Sequence, residues 1–117
     1  MKFLILINDA PYGSEKAYNA LRLAMALQKD PSETEINIFL MADSVGCSLP
    51  NQKTPDGYYN IERMLKSVIN KGAKVKACGS CMEARGLYGL ELTAGVEISN
   101  MAELAEWSVQ ADKSFTF

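Results

Sequence analysis

The stretch KVKACGSCMEARGL, residues 74–87, places Cys78 and Cys81 three positions apart, directly behind a short alternating apolar run. Two thiols at that spacing admit a structural core pair, a metal site, a disulfide switch or a sulfur nucleophile. A structural zinc site needs four ligands of Cys, His or carboxylate type. The chain has three cysteines and no histidine, and the third, Cys47, is distant in sequence, which argues against zinc within one chain. Neither a metal nor another cofactor is expected. A disulfide switch fits C-x-x-C, a spacing that can lower a thiol pKa. The thioredoxin arrangement, however, sets its motif after an early strand, and here it follows the third. The last chemistry is one attacking thiol that carries sulfur, with the second thiol as auxiliary. A single cysteine is more often a small buried hydrophobe. Cys47 is read in that way, as a structural or incidental loop residue.

The position of Cys78 favours chemistry. It falls where a strand hands over to a helix, so unpaired backbone N–H groups of the next turn point toward it. The helix dipole adds positive potential at this end. Both effects favour thiolate, the nucleophilic form. Gly79 leaves room for a close approach. Arg85 lies seven residues on, about two helical turns by rise, and reaches the thiols only if the helix bends or a neighbour brings it back. Two other segments offer candidates. Asp9 and Tyr12 lie in NDAPYGSEKA, and Asp43 and Ser44 follow IFLMA. Asp9 and Asp43 would serve as a carboxylate pair for acid/base work, or else as helix caps and loop contacts. Tyr12 and Tyr18 would line a pocket, or else pack at an interface or in the core, and the aromatic pair in GYYN, residues 57–60, would cover a site or bury against another subunit. Neither glycine-rich phosphate-loop pattern occurs, so nucleotide binding is not expected.

The elements that must position these residues are legible from periodicity. KFLILI (2–7) and EINIFLMA (35–42) are near-continuous apolar runs, the pattern of strands buried on both faces. AKVKA (73–77) alternates, and its lysines predict a less buried third strand. GVEIS (95–99) and KSFTF (113–117) are shorter strand candidates. Helices are expected over 15–30, 59–72, 79–86 and 101–111. Ser14 is expected to cap the first, Pro31 to end it, Gly72 to follow the second, and Asn100 with Glu103 to form a capping box for the last. Residues 43–60 read as a long loop with a helical turn near Asp43–Cys47. Strands alternating with helices predict an α/β domain over residues 1–117, a parallel sheet with helices on both faces. In such sheets sites gather at the carboxyl ends of the strands. That edge would hold Asp9 and Tyr12, then Asp43, then Cys78 and Cys81.

The totals exclude other classes. The chain has 117 residues, is 48% hydrophobic and carries a formal net charge of −2. No Lys/Arg run suits phosphate neutralisation, so nucleic acid is not an expected partner. No apolar stretch approaches the ~20 residues of a membrane span, and the start reads as a strand rather than a signal peptide. An odd cysteine count without such a signal suits a reducing cytoplasm.

Four segments carry a resemblance: NDAPYGSEKAYNALRLAMAL, IFLMADSV, GYYNIERMLKSVINKGAKVKACGSCMEARGL and GVEISNMAELAEWSVQADKSFTF. In this order they resemble the DsrE/DsrF-like family, and within it the YchN-like branch, over nearly the whole chain. The resemblance implies a three-layer α/β/α domain around a parallel sheet of about five strands. It implies a cytoplasmic sulfur-relay role, since relay members carry a persulfide on a cysteine after the third core strand. The cysteine-to-Arg-Gly spacing of those members is similar to Cys78 through Arg85–Gly86, which assigns the sulfur-accepting role to Cys78. Cys81 is additional relative to the relay subunits and leaves open an internal disulfide. The resemblance also implies a homo-oligomer, a trimer-based hexamer with its site near a subunit boundary, working with sulfur-donor and sulfur-acceptor proteins. Two rival readings are a dithiol redox protein using Cys78 and Cys81, and a non-catalytic oligomeric binding module.

Overall fold

KFLILI and EINIFL are largely apolar and buried on both faces, so each must be covered on two sides, and they become adjacent inner strands. The computed structural model describes residues 1–30 and 32–117. Its elements are β1 (Lys2–Ile7), α1 (Lys16–Leu27), β2 (Glu35–Leu40), a 3-10 helix (Ala42–Ser48), α2 (Ile61–Asn70), β3 (Lys74–Cys78), α3 (Gly79–Ala84), β4 (Val96–Ser99), α4 (Met101–Gln110) and β5 (Lys113–Thr116). The five strands form one sheet of order β4-β3-β2-β1-β5, parallel at every pairing.

That order dictates the layers. Parallel crossovers are right-handed, so the β1–β2 and β2–β3 steps, running the same way across the sheet, put α1 and α2 on one face. The return from β4 to β5 runs the other way and puts α4 on the opposite face. The expected three-layer α/β/α architecture results. Side chains paired across a parallel register share a face. Ile5, Ile38 and Val75 therefore line up beneath α1 and α2, which bury Ala20, Leu21, Ala24, Ile61, Leu65 and Val68 against them. The other face is mixed: Leu4, Asn37 and Lys74 are in register, as are Leu6, Phe39 and Lys76. On this face Trp107 of α4 meets Phe39 edge-on, ring centroids 6.3 Å apart. The Lys76 ammonium lies 4.7 Å from the Trp107 ring centre and pairs with Glu103, so β3 and α4 are joined by a lysine rather than an aliphatic contact.

Local chemistry departs from expectation at four points. α1 starts at Lys16 with Glu15 as its N-cap residue, not Ser14. The Ser14 hydroxyl instead donates to Asp9 Oδ2 at 2.8 Å. β2 stops at Leu40 because Ala42 adopts φ 53, which leaves the extended region and begins the 3-10 helix. Half of the capping box forms: Asn100 accepts the Glu103 N–H at 3.0 Å, while the Glu103 carboxylate goes to Lys76 and Ser99. Gly79 does not make room for a ligand. A Cβ there would stand 3.1 Å from Ile98 Cγ2, so its missing side chain lets β4 close on the junction. The expected helix break at Pro31 lies outside the described residues.

Two glycines separate conformation from crowding. Gly72 has φ 103 with open space around its missing Cβ, whereas Gly95 has φ 95 and its Cβ would lie 2.7 Å from Ile69 Cγ2. Left-handed backbone costs an L-residue roughly 1–2 kcal/mol, and overpacking adds about 1–3 kcal/mol. Gly72→Ala is expected to cost only the first amount and Gly95→Ala the sum, measured by denaturant unfolding. Equal losses would contradict the packing of Gly95 against α2.

Candidate functional site

Cys78 ends β3 and is the N-cap residue of α3, with φ −64 and ψ 117. Extended backbone there turns its Sγ back over the first turn, where it accepts the Cys81 N–H at 3.4 Å. The Ser80 hydroxyl lies 3.3 Å from the same sulfur. Burial raises the Cys78 thiol pKa. The Ser80 hydroxyl, the Cys81 thiol and the N–H groups of Cys81 and Ser80 together outweigh burial and hold it below its ordinary value. Cys81 shifts the other way. Burial and the hydrogen bond it gives to Cys78 raise it, against an Ala42 N–H at 3.3 Å and the nearby Arg85 charge. Of the two thiols, Cys78 is thus the one favoured to ionise first.

The second thiol is braced from β2. Arg85 bends back along α3: its Nη1 donates to the Cys81 carbonyl at 3.0 Å, and its Nε donates to Asp43 Oδ1 at 2.9 Å. Asp43, in the 3-10 helix after β2, is thus the neighbour that brings Arg85 within reach. The Asp43 side chain is 66% exposed, so the ion pair adds at most about 1 kcal/mol to stability. Its consequence is positional, since it fixes a cation beside Cys81. Ala42 adopts left-handed backbone at a cost of about 1–2 kcal/mol and from there directs its N–H to Cys81 Sγ.

Four of the sequence candidates therefore meet: Cys78, Cys81, Arg85 and Asp43. Asp9 and Tyr12 take other partners. Asp9 accepts the Ser14 hydroxyl at 2.8 Å. The Tyr12 hydroxyl donates to Gln52 Oε1 at 2.7 Å and accepts the Ile61 N–H at 3.1 Å. Its ring joins a stack through Tyr59 to Tyr18, with centroids 5.8 and 4.2 Å apart. Gln52 also donates to the Leu49 and Cys47 carbonyls, and its N–H donates to the buried Glu62. Lys66 and the Gln52 and Asn51 N–H groups hold the Glu62 carboxyl below its usual range. The long loop is pinned to α2 by this network. Cys47 is buried, and burial pushes its thiol up to about 12, so it stays protonated.

Sequence reasoning missed Ser80 and Ala42. Ser80 stands inside C-G-S-C, and a hydroxyl between two thiols was the available signal. Ala42 gives none, because its role is backbone geometry. Cys78 is only 5% exposed, while Cys81 is half-buried and Ser80 exposed, so the solvent side of the pair is the Ser80–Cys81 side. Among the described residues no group of three or more Cys, Asp or Glu side chains is placed to hold a metal ion. No helix there is long and apolar enough to cross a membrane.

A DsrE/DsrF-like family model matches residues 1–117. Protein YchN of Escherichia coli K12 is 45% identical over 116 residues, 99% of this chain and 98% of that protein. The crystal structure of ychN protein from E. coli superimposes with a TM-score of 0.94 at 45% identity, over 99% of this chain and 98% of that one. Sulfurtransferase TusD of Salmonella newport is 25% identical over 128 residues, spanning 100% of both chains.

The two thiols are expected to titrate apart. Iodoacetamide modification, read at peptide masses against pH, should show a lower midpoint for Cys78 than for Cys81, and Ser80→Ala should move the Cys78 midpoint up. The reverse order would contradict the hydrogen bonding. Asp43→Ala should raise the Cys81 midpoint by freeing Arg85, while unfolding free energy changes by less than about 1 kcal/mol.

Proposed function

The chain belongs to the DsrE/DsrF-like family, and on that premise we propose that it carries sulfur in a relay, as a persulfide on Cys78. The observation that carries the reading is the set of hydrogen bonds on Cys78 Sγ from Ser80 and Cys81. The TusD likeness supports the same chemistry, because that relative is a sulfurtransferase by name.

The cycle follows from thiol exchange. The Cys78 thiolate attacks the outer sulfur of a donor persulfide, R–S–SH. A Cys78 S–S bond forms, the donor S–S bond breaks, and the donor leaves as thiolate with the bonding pair. An acceptor thiolate then attacks the same outer sulfur, and Cys78 departs as thiolate. A lowered thiol pKa serves both steps. It raises the thiolate fraction for attack and improves Cys78 as a leaving group. The Ser80 and Cys81 donors that stabilise the resting thiolate are also ready for the departing one. Access runs over exposed Ser80. The cycle needs free thiols and so belongs in a reducing compartment such as the cytoplasm.

A homohexamer built from trimers is part of the reading. Tyr58, Tyr88, Leu90, Ile98 and Met101 are exposed large apolar side chains on the single chain. Light scattering in solution is expected to give the hexamer mass, and a monomer mass would remove this part.

After incubation with a cysteine desulfurase and cysteine, Cys78 should gain a reducible mass of about one sulfur atom, ~32 Da. Cys78→Ala should abolish the gain and Cys47→Ser should leave it. No sulfur uptake by Cys78 under any loading condition, seen neither as the adduct nor as sulfide release that depends on Cys78, would overturn the proposal.

A further inference from the structure

We infer that Cys81 is a resolving thiol: a persulfide formed on Cys78 is reduced in place by Cys81, releasing sulfide and leaving a Cys78–Cys81 disulfide. The inference rests on the sulfur-carrying reading and adds an activity to it, conversion of bound sulfane sulfur to hydrogen sulfide.

The geometry supplies the attacking group. Both thiols are free, and Cys81 N–H already contacts Cys78 Sγ at 3.4 Å. Residues three apart on a helix have Cβ atoms about 5–6 Å apart, and a disulfide needs about 3.5–4.5 Å. Closure therefore takes a shift of roughly 1–2 Å. The place that must yield is the start of the six-residue α3, where Cys78 already has extended backbone.

Sulfur loading itself changes the balance between the two thiols. While Cys78 is a thiolate, it holds the Cys81 proton and opposes a second negative charge. Once Cys78 Sγ carries an outer sulfur it has two covalent bonds, and the negative charge moves to the outer atom. The hydrogen bond that kept Cys81 protonated is then lost from Sγ. The Ala42 N–H at 3.3 Å and Arg85, anchored by Asp43, remain beside Cys81 and favour its thiolate.

The step balances. Cys81 gives its proton to the outer sulfur and attacks Cys78 Sγ. The Sγ–outer sulfur bond breaks, its electron pair leaves with the outer atom as HS⁻, and a Cys78–Cys81 bond forms. The outer sulfur is reduced by two electrons and the thiol pair is oxidised by two. Renewal needs an external dithiol reductant. Its thiolate attacks Cys81 Sγ, the more exposed sulfur, and Cys78 leaves as the better-stabilised thiolate. The second thiol of the reductant then frees Cys81.

The test uses a cysteine desulfurase loaded with persulfide and freed of cysteine, so that the two chains are the only thiol sources. Wild-type protein should release about one sulfide per chain and end roughly 2 Da lighter, with the Cys78–Cys81 bond found by peptide mapping. Cys81→Ser, and Cys81→Ala as a second variant checked for folding by circular dichroism, should keep the ~32 Da adduct on Cys78 and release no sulfide. A wild-type chain that keeps its adduct without releasing sulfide overturns the resolving role and leaves the sulfur-carrying reading standing. A wild-type chain that neither gains the adduct nor releases sulfide overturns both.

Discussion

Everything at the candidate site depends on the register of β2 against β3. Leu40 pairs with Ala77, so Ala42 and Asp43, just past the end of β2, and Cys78, the last residue of β3, emerge side by side at the carboxyl edge. Strand side chains alternate with a period of two, so a slip of one residue would exchange the faces of β3. Val75 and Ala77, packed beneath α2, would be replaced by Lys74 and Lys76, and burying two ammonium groups there is prohibitive. The apolar face of the sheet thereby locks the position of the thiols, although neither thiol contributes to that face.

Two opposed influences meet at Cys78. Burial makes an anion expensive, and short-range donors make it cheap. The donors prevail because several converge on one sulfur: a hydroxyl, a second thiol and backbone N–H groups. At Cys47 burial meets only a backbone hydrogen bond, and the thiol rises to about 12. Both have little exposed surface, but Cys47 lies much deeper in the chain, so the two differ in the cost of burial as well as in hydrogen-bond supply. Ala42 shows what that supply costs elsewhere. A non-glycine residue held at φ 53 gives up about 1–2 kcal/mol of backbone comfort, and the surrounding sheet and 3-10 helix keep it there.

The α4 face has a different logic. Asn37, Lys74 and Lys76 make it too polar for a plain aliphatic layer. Its cover is Trp107, whose ring takes Phe39 by its edge and the Lys76 ammonium near its face. Lys76 is anchored in turn by Glu103, in the first turn of α4. A lysine that read as a mark of exposure is thus only 17% exposed and joins two layers.

The sequence by itself determined the elements, the parallel α/β class, the three-layer arrangement and the family. The first three follow from periodicity and strand–helix alternation, which are local and written in consecutive residues, and the family follows from the resemblance carried by four segments. The position of Cys78 at a strand-to-helix junction was legible for the same reason. Cap details were not, since Ser14 and Glu103 each had two feasible partners, and the choice fell to Asp9 in the same loop for one and to Lys76 on β3 and Ser99 on β4 for the other. Only the tertiary structure decided which distant groups join the thiols. Asp43 meets Arg85 and Ala42 meets Cys81 across separations of 42 and 39 residues, and strand order sets such contacts. Asp9 and Tyr12 were equally plausible on the same edge, yet their hydrogen bonds went to Ser14, Gln52 and Ile61. Nor could composition foretell that the thiol with the lowered pKa would be the more buried of the pair, because that balance rests on distances of a few ångströms.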